Sequence, residues 1–152
     1  MREETKGGTA VNVAQILEGK GADVFTVNSD ARISEAVDLL NANNIGALVV
    51  VDTAGKVIGI LSERDIVRRL SGDRAAVLAG TISQVMTAKP FTCTRATEID
   101  ELMHIMTDKR IRHMPVVDDG ALVGVVSIGD VVKRKIEEIE HEAAALREYI
   151  TS

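Results

Sequence analysis

Apolar residues along this chain recur in two rhythms, and the alternation between them sketches a fold. Ile33, Ala36, Val37, Leu39 and Leu40 fall near helical spacing, which predicts a helix with one buried face. Ala47–Val51 is an unbroken, largely β-branched run, as expected of a buried strand. Asp52-Thr53-Ala54-Gly55 then reads as a hairpin turn, its glycine supplying the positive φ, with Val57–Leu61 as the returning strand. A short strand around Val24–Val27 precedes this set and a helix from about Glu63 closes it. The order is βαββα.

The same series then occurs again. Phe25-Thr26 lies over Phe91-Thr92, 66 positions on. At that offset Ile33 meets Ile99, Glu35 meets Glu101, Ile45 meets Ile111, and Val50-Val51-Asp52 meets Val116-Val117-Asp118. One residue fewer in the second turn brings Gly59 onto Gly124, Ser62 onto Ser127 and Asp65 onto Asp130. Upstream, Ala14-Gln15-Ile16-Leu17 lies over Ser83-Gln84-Val85-Met86, with three extra residues around Gly19–Gly21 in the first copy. A register kept through strands, turns and helix starts marks a tandem duplication. The second copy predicts a strand at Phe91–Thr94, a helix burying Ile99, Leu102, Ile105 and Met106, strands Met114–Val117 and Leu122–Val126 about the turn Asp118-Asp119-Gly120, and a helix from Ile128.

The predicted organisation is a polar N-terminus over 1–10 that frays, a first repeat over 11–72 and a linker over 73–80 within the loop Ser71–Gly80. A second repeat over 81–138 and a helical extension over 139–152 follow. The class is α/β (α+β). A unit of about 60 residues is short of core, so burial of one sheet against the other is the expected solution. Val11–Leu17 adds a short apolar-periodic segment in front of the first strand. Ile136, Ile139, Ala143, Leu146 and Ile150 run at three- and four-residue steps through a charged tail. That predicts a long amphipathic last helix, either a cap on the same core or a dimer surface.

Composition narrows the classes. At 152 residues, 45% hydrophobic and 27% charged, the chain has the length and balance of one soluble globular domain. Its net charge of −5, from 18 Lys+Arg against 23 Asp+Glu, argues against binding nucleic acid through the phosphate backbone. One cysteine excludes an intramolecular disulfide and fits a reducing cytoplasm. No apolar run approaches a membrane span, and no signal peptide opens the sequence. With two Phe, one Tyr and no Trp, a bound ring would be held by aliphatic side chains and backbone.

Candidate chemistry gathers where each returning strand runs into its helix, at Gly59-Ile60-Leu61-Ser62-Glu63-Arg64-Asp65 and Gly124-Val125-Val126-Ser127-Ile128-Gly129-Asp130. One reading is a capping box, in which the serine hydroxyl accepts from the aspartate N–H and the acid sits at the positive helix end. Asp reaches back less well than the Glu of the ideal box. The other reading uses the same geometry for a ligand. Helix N-terminal N–H groups and a hydroxyl can cradle phosphate, and a carboxylate can accept from a ribose diol. Duplication copies caps and ligand groups alike, so both readings stand at this point.

Arg64, Arg68, Arg69 and Arg74 bunch after the first motif, as a solvated face or as partners for a pyrophosphate, Arg64 foremost. Cys93 aligns with Val27 and reads as a buried strand thiol. His104 and His141 have no partners at metal spacing. No catalytic triad or Walker loop can be assembled, so a non-catalytic role is expected.

The repeat, with Gly-x-x-Ser-x-x-Asp closing each copy, Val85-Met86-Thr87 opening the second, and Ile111-Arg112-His113-Met114-Pro115-Val116-Val117-Asp118 within it, resembles a tandem CBS-domain pair (named for cystathionine β-synthase) from about Val11 to Glu138. The resemblance implies two βαββα units about a pseudo-twofold, with clefts between them for adenosine ligands: AMP, ADP, ATP, NAD(H) or S-adenosylmethionine. It implies no metal, a homodimer, and a regulatory role in which occupancy, reporting energy or redox state, passes to a protein encoded elsewhere. Carried over by position, Ser62 with Asp65 and Ser127 with Asp130 match the phosphate- and ribose-contacting pairs. Ile45-Gly46-Ala47 and Ile111-Arg112-His113 match the segment lining the base and phosphate pocket, and Ala31 and Thr97 the entry to the first helix. The copies differ there, since Arg112 can fork onto a phosphate and Gly46 cannot. The two clefts should therefore differ in affinity or ligand. The alternative to a sensor is a constitutive interaction scaffold whose motifs are only caps.

Overall fold

The structure, a computed structural model, describes residues 11–21 and 23–151; the fraying expected of 1–10 lies outside the described residues. Helix α1 (Val13–Lys20) leads into strand β1 (Thr26–Asn28), helix α2 (Ile33–Asn43), strands β2 (Ala47–Val51) and β3 (Val57–Ser62), and helix α3 (Glu63–Arg69). After a short helix α4 (Arg74–Ala79) and a 3-10 turn at Ile82–Gln84 come β4 (Thr87–Ala88), α5 (Ile99–Lys109), β5 (His113–Asp118), β6 (Ala121–Ser127) and α6 (Ile128–Thr151). The βαββα order of the first repeat is present as read. Gly55 and Gly120 close the two hairpins at φ 84 and 78, where a side chain would be strained.

Two expectations need correction. The stretch expected as a loop over Ser71–Gly80 contains α4, because the Asp73 side chain accepts from the Ala76 N–H and starts a helix of small apolar residues. The strand expected at Phe91–Thr94 contracts to one parallel bridge, Cys93 with Val116. Its first-repeat counterpart keeps three paired residues, Val27 opposite Val50 at the centre. The duplicated register survives even where the strand does not.

Apart from Val49, the buried apolar residues form two clusters, one per repeat, and each is completed by a segment from the other repeat. Val13, Ile16 and Leu17 of α1 pack with Ile99, Leu102, Met106, Met114, Val116 and Val126 of the second repeat. Ile82, with Val85 and Met86 against it, packs with Ile33, Ala36, Leu40, Leu48, Val50 and Leu61 of the first.

Backbone bonds repeat the exchange. The Val13 and Ala14 N–H groups donate to the Thr97 and Arg95 carbonyls at 2.9 and 3.0 Å. Those of Ile82 and Ser83 donate to Ala31 and Ser29, both at 2.9 Å. Each opening segment also carries the same cap: the Asn12 N–H donates to Gln15 Oε1 at 2.9 Å and the Thr81 N–H to Gln84 Oε1 at 3.1 Å.

After the caps the two openings diverge. The second runs into β4, which joins β3. The first, with three more residues, continues as helix to Lys20.

Candidate functional site

Ser62 ends β3 and caps α3, and Ser127 ends β6 at the head of α6. The Asp65 N–H donates to Ser62 Oγ at 3.2 Å and the Ser62 N–H to Asp65 Oδ2 at 2.9 Å. In the second repeat the same bonds measure 3.1 and 2.9 Å. Both motifs are thus full capping boxes, and the shorter Asp does reach back. The boxes leave capacity over, because only Oδ2 of each half-buried carboxylate is used. Oδ1 accepts no hydrogen bond among the described residues.

Backbone bonds bring the next candidates alongside. The Glu63 N–H donates to the Gly46 carbonyl at 2.9 Å and the Ile128 N–H to the Arg112 carbonyl at 2.8 Å. Ala47 pairs with Ser62, and His113 with Ser127. Ile45-Gly46-Ala47 therefore flanks the first motif and Ile111-Arg112-His113 the second, while Ile45 and Ile111 also pack against their cores. The repeats touch at this point: a Cβ on Gly46 would lie 3.4 Å from His113 Nε2 and 3.9 Å from Glu63 Oε1. Burial holds His113 below the ordinary imidazole range and the Lys20 charge adds to this, while Asp130 and Glu63 pull the other way.

Ala31 and Thr97 have a different place. Their carbonyls receive the exchanged segments, the Thr97 hydroxyl accepts from the Thr94 N–H at 3.0 Å, and no hydrogen bond joins either residue to the serine–aspartate pairs among the described residues. The arginines are not gathered. Arg69 donates to the Gln84 carbonyl at 3.3 Å, Arg74 heads α4, and the exposed Arg64 and Arg68 make no side-chain hydrogen bond or ion pair among the described residues. Cys93 is buried, and desolvation, with Asp118 and Glu101 nearby, pushes its thiol up to about 12.

Lys20 is the residue that sequence reasoning missed. It ends α1, and its ammonium donates to Asp130 Oδ2 at 2.6 Å and to the Val125 carbonyl at 3.1 Å. Burial alone would raise the Asp130 carboxyl. The Lys20 bond and the Ser127 N–H outweigh it and hold the group below its ordinary value. Asp65 has no ion-pair partner among the described residues. The only sequence signal was the three-residue excess around Gly19–Gly21, which gives length and not direction. Lys20 and Asp130 line a cleft of about 280 Å³ between α1 and α6, with Ile16, Lys133, Arg134 and Glu137.

Two repeats with exchanged openings and paired Ser-x-x-Asp helix starts define a duplicated α/β module. The family model of the CBS domain matches residues 20–72 and 82–137, and the chain belongs to that family. It is 32% identical over 157 residues to the CBS domain-containing protein CBSX3, mitochondrial, of Arabidopsis thaliana, covering 98% of this chain and 76% of that one. The crystal structure of the CBS-domain containing protein ATU1752 from Agrobacterium tumefaciens matches with a TM-score of 0.78 and 46% identity, over 82% of this chain and 99% of that one. The CBS domain pair of protein MJ0100, in complex with 5-methylthioadenosine and S-adenosyl-L-methionine, matches with a TM-score of 0.75 and 29% identity, over 85% and 98% of the two chains.

Proposed function

We propose that this chain is a non-catalytic regulatory module that binds an adenine nucleotide (AMP, ADP, ATP or NAD(H)) beside Ser62–Asp65 and Ser127–Asp130, and passes occupancy to a partner protein as a homodimer. The observation that carries this reading is the unused Oδ1 on each capped aspartate. The box fixes the side chain in one orientation and leaves an anionic acceptor able to take a ribose hydroxyl. The adenosine compounds held by the MJ0100 pair support the ligand class. The proposed pocket walls are Ile45, Gly46 and Ala47 on one side and Ile111, Arg112 and His113 on the other, entered past Ala31 and Thr97, with Arg64 free to reach a phosphate. Lys133 and Arg134 beside Asp130 supply further cations for phosphate.

The two sites would not be equal. A ligand at Asp65 meets a carboxylate with no ion-pair partner among the described residues, whereas at Asp130 the Lys20 ammonium already holds Oδ2 and leaves only Oδ1. A ligand that draws Lys20 away would loosen the end of α1, which packs into the second repeat's core. Differential binding of this kind shifts a conformational equilibrium by the difference in affinity and no more. We place the protein in the cytoplasm, on its single buried thiol; no helix among the described residues is long and apolar enough to cross a membrane.

The test is thermal unfolding with AMP, ATP, NADH and S-adenosylmethionine. A ligand at 100 times its dissociation constant adds about 2.7 kcal/mol. Asp65→Asn keeps an acceptor for the Ser62 N–H and should leave the apo protein within about 0.5 kcal/mol of the parent while reducing the ligand-induced rise. No rise with any of the four compounds favours the ligand-free scaffold.

A further inference from the structure

The last helix carries more apolar surface than its own fold uses. α6 rests on the rest of the chain through Val131, which is fully buried, Arg134, which donates to the Gln15 carbonyl at 2.6 Å, and Lys135, which bonds Asp100 at 2.9 Å and Glu138 at 3.1 Å. About 110° around the helix from that face runs a second line of residues: Val132, Ile136, Ile139, Ala143, Leu146 and Ile150. Five of these are large and open to solvent, from Val132 at 41% to Ile150 at 70% exposed. A continuous apolar stripe of this kind marks an interaction surface.

The spacing along the stripe specifies what covers it. Its steps alternate four, three, four, three and four, which is the 3.5-residue period of a coiled-coil seam, not the wider face of a helix lying on a globular core. Ile136, Ala143 and Ile150 take the a positions, and Val132, Ile139 and Leu146 the d positions. The flanking charges then fix the partner and its direction. In a parallel in-register pair, each g residue faces the e residue five further along the other helix. Glu142 then faces Arg147 of the partner subunit, and Lys135 lies opposite in sign to Glu140 of the partner subunit while keeping its own Asp100 and Glu138. Neither Glu142 nor Arg147 has an ion-pair partner within its own chain among the described residues. An antiparallel pair centred on the same seam sets Lys133 against Arg147 of the partner subunit, and Glu140 and Glu142 each against its own copy. All three are like-charge pairings.

We infer that α6 joins a second copy of this chain through a parallel two-stranded coiled coil over residues 132–150, aligning the two repeat pairs of the dimer in the same direction. The inference rests on the dimer part of the reading above and is independent of the ligand.

The full-length chain carrying Cys93→Val, the residue of its first-repeat counterpart, gives a clean background for single cysteines. Ile136→Cys and Ile150→Cys should each form a symmetric interchain disulfide in a glutathione buffer. Glu142→Lys and Arg147→Glu should each raise the dimer dissociation constant about 3- to 10-fold in sedimentation, and mixing the two should restore it through heterodimers. A disulfide only between an Ile136→Cys chain and a Leu146→Cys chain means an antiparallel pair and overturns the inference. A stable dimer that cross-links at neither position overturns the coiled coil while leaving the dimer, and a monomer by sedimentation overturns both.

Discussion

Leu17 sits directly over the backbone of Gly124: a Cβ at residue 124 would meet Leu17 Cδ2 at 2.8 Å and Cδ1 at 3.1 Å. The other repeat has the same arrangement, with Met86 Sδ 2.6 Å from a Cβ on Gly59. The glycine that opens each Gly-x-x-Ser-x-x-Asp motif is therefore a seat for the segment contributed by the other repeat. It makes room for packing and touches no proposed ligand group.

Gly124→Ala is accordingly expected to destabilise the protein by about 1–3 kcal/mol through overpacking, and Leu17→Ala by about 2–5 kcal/mol through loss of buried volume. Because each removes the other's clash or contact, the double variant should cost clearly less than the sum. Urea unfolding of the four proteins measures the coupling. Strict additivity would mean that residue 17 does not press on residue 124 in solution.

Lys20→Met should move the Asp130 carboxyl up toward its ordinary value, followed by carboxylate NMR titration. A carboxyl held low in the folded state contributes stability that is present above the unfolded value, about 3.9, and is lost as pH falls through the folded one. The variant should therefore lose less stability than the parent on acidification through that window, having less to lose. An unchanged Asp130 titration would show that Lys20 does not pair with it.

His113 gives a second pH signature, at milder acidity. Burial holds its folded value below the ordinary imidazole value, so the folded protein favours the neutral ring. Stability is complete above the unfolded value and declines as pH falls from there through the folded one. His113→Gln should flatten the unfolding midpoint between about pH 7.5 and about pH 5. An equally sloping profile in the variant would assign the loss to other groups.

Cys93, with its thiol pushed up to about 12 and buried, should resist aromatic disulfide reagents in the native state and react fully in urea. Rapid labelling of the folded protein would place the thiol at the surface.

The repeat register was legible because duplicated spacing constrains backbone and burial together: Val27 opposite Val50 and Cys93 opposite Val116 are one pairing written twice. The serine–aspartate pairs were legible as caps for the same reason. The exchange of opening segments was not, since the apolar faces of α1 and of Ile82–Met86 fit either core equally well by pattern. The Lys20–Asp130 contact spans 110 positions, and no local rule points a lysine across that distance. α4 was hidden by its brevity, six residues between an aspartate and a glycine.

The crossing of the two openings also bears on what happens if the chain is cut. Cleavage between the halves would leave one fragment lacking Ile82 and the other lacking Val13, Ile16 and Leu17, each with a hole shaped for a piece of its former neighbour. Neither should hold its shape in isolation, yet the two together carry all that is needed to reassemble. Whatever loosens one half must therefore be felt in the interior of the other.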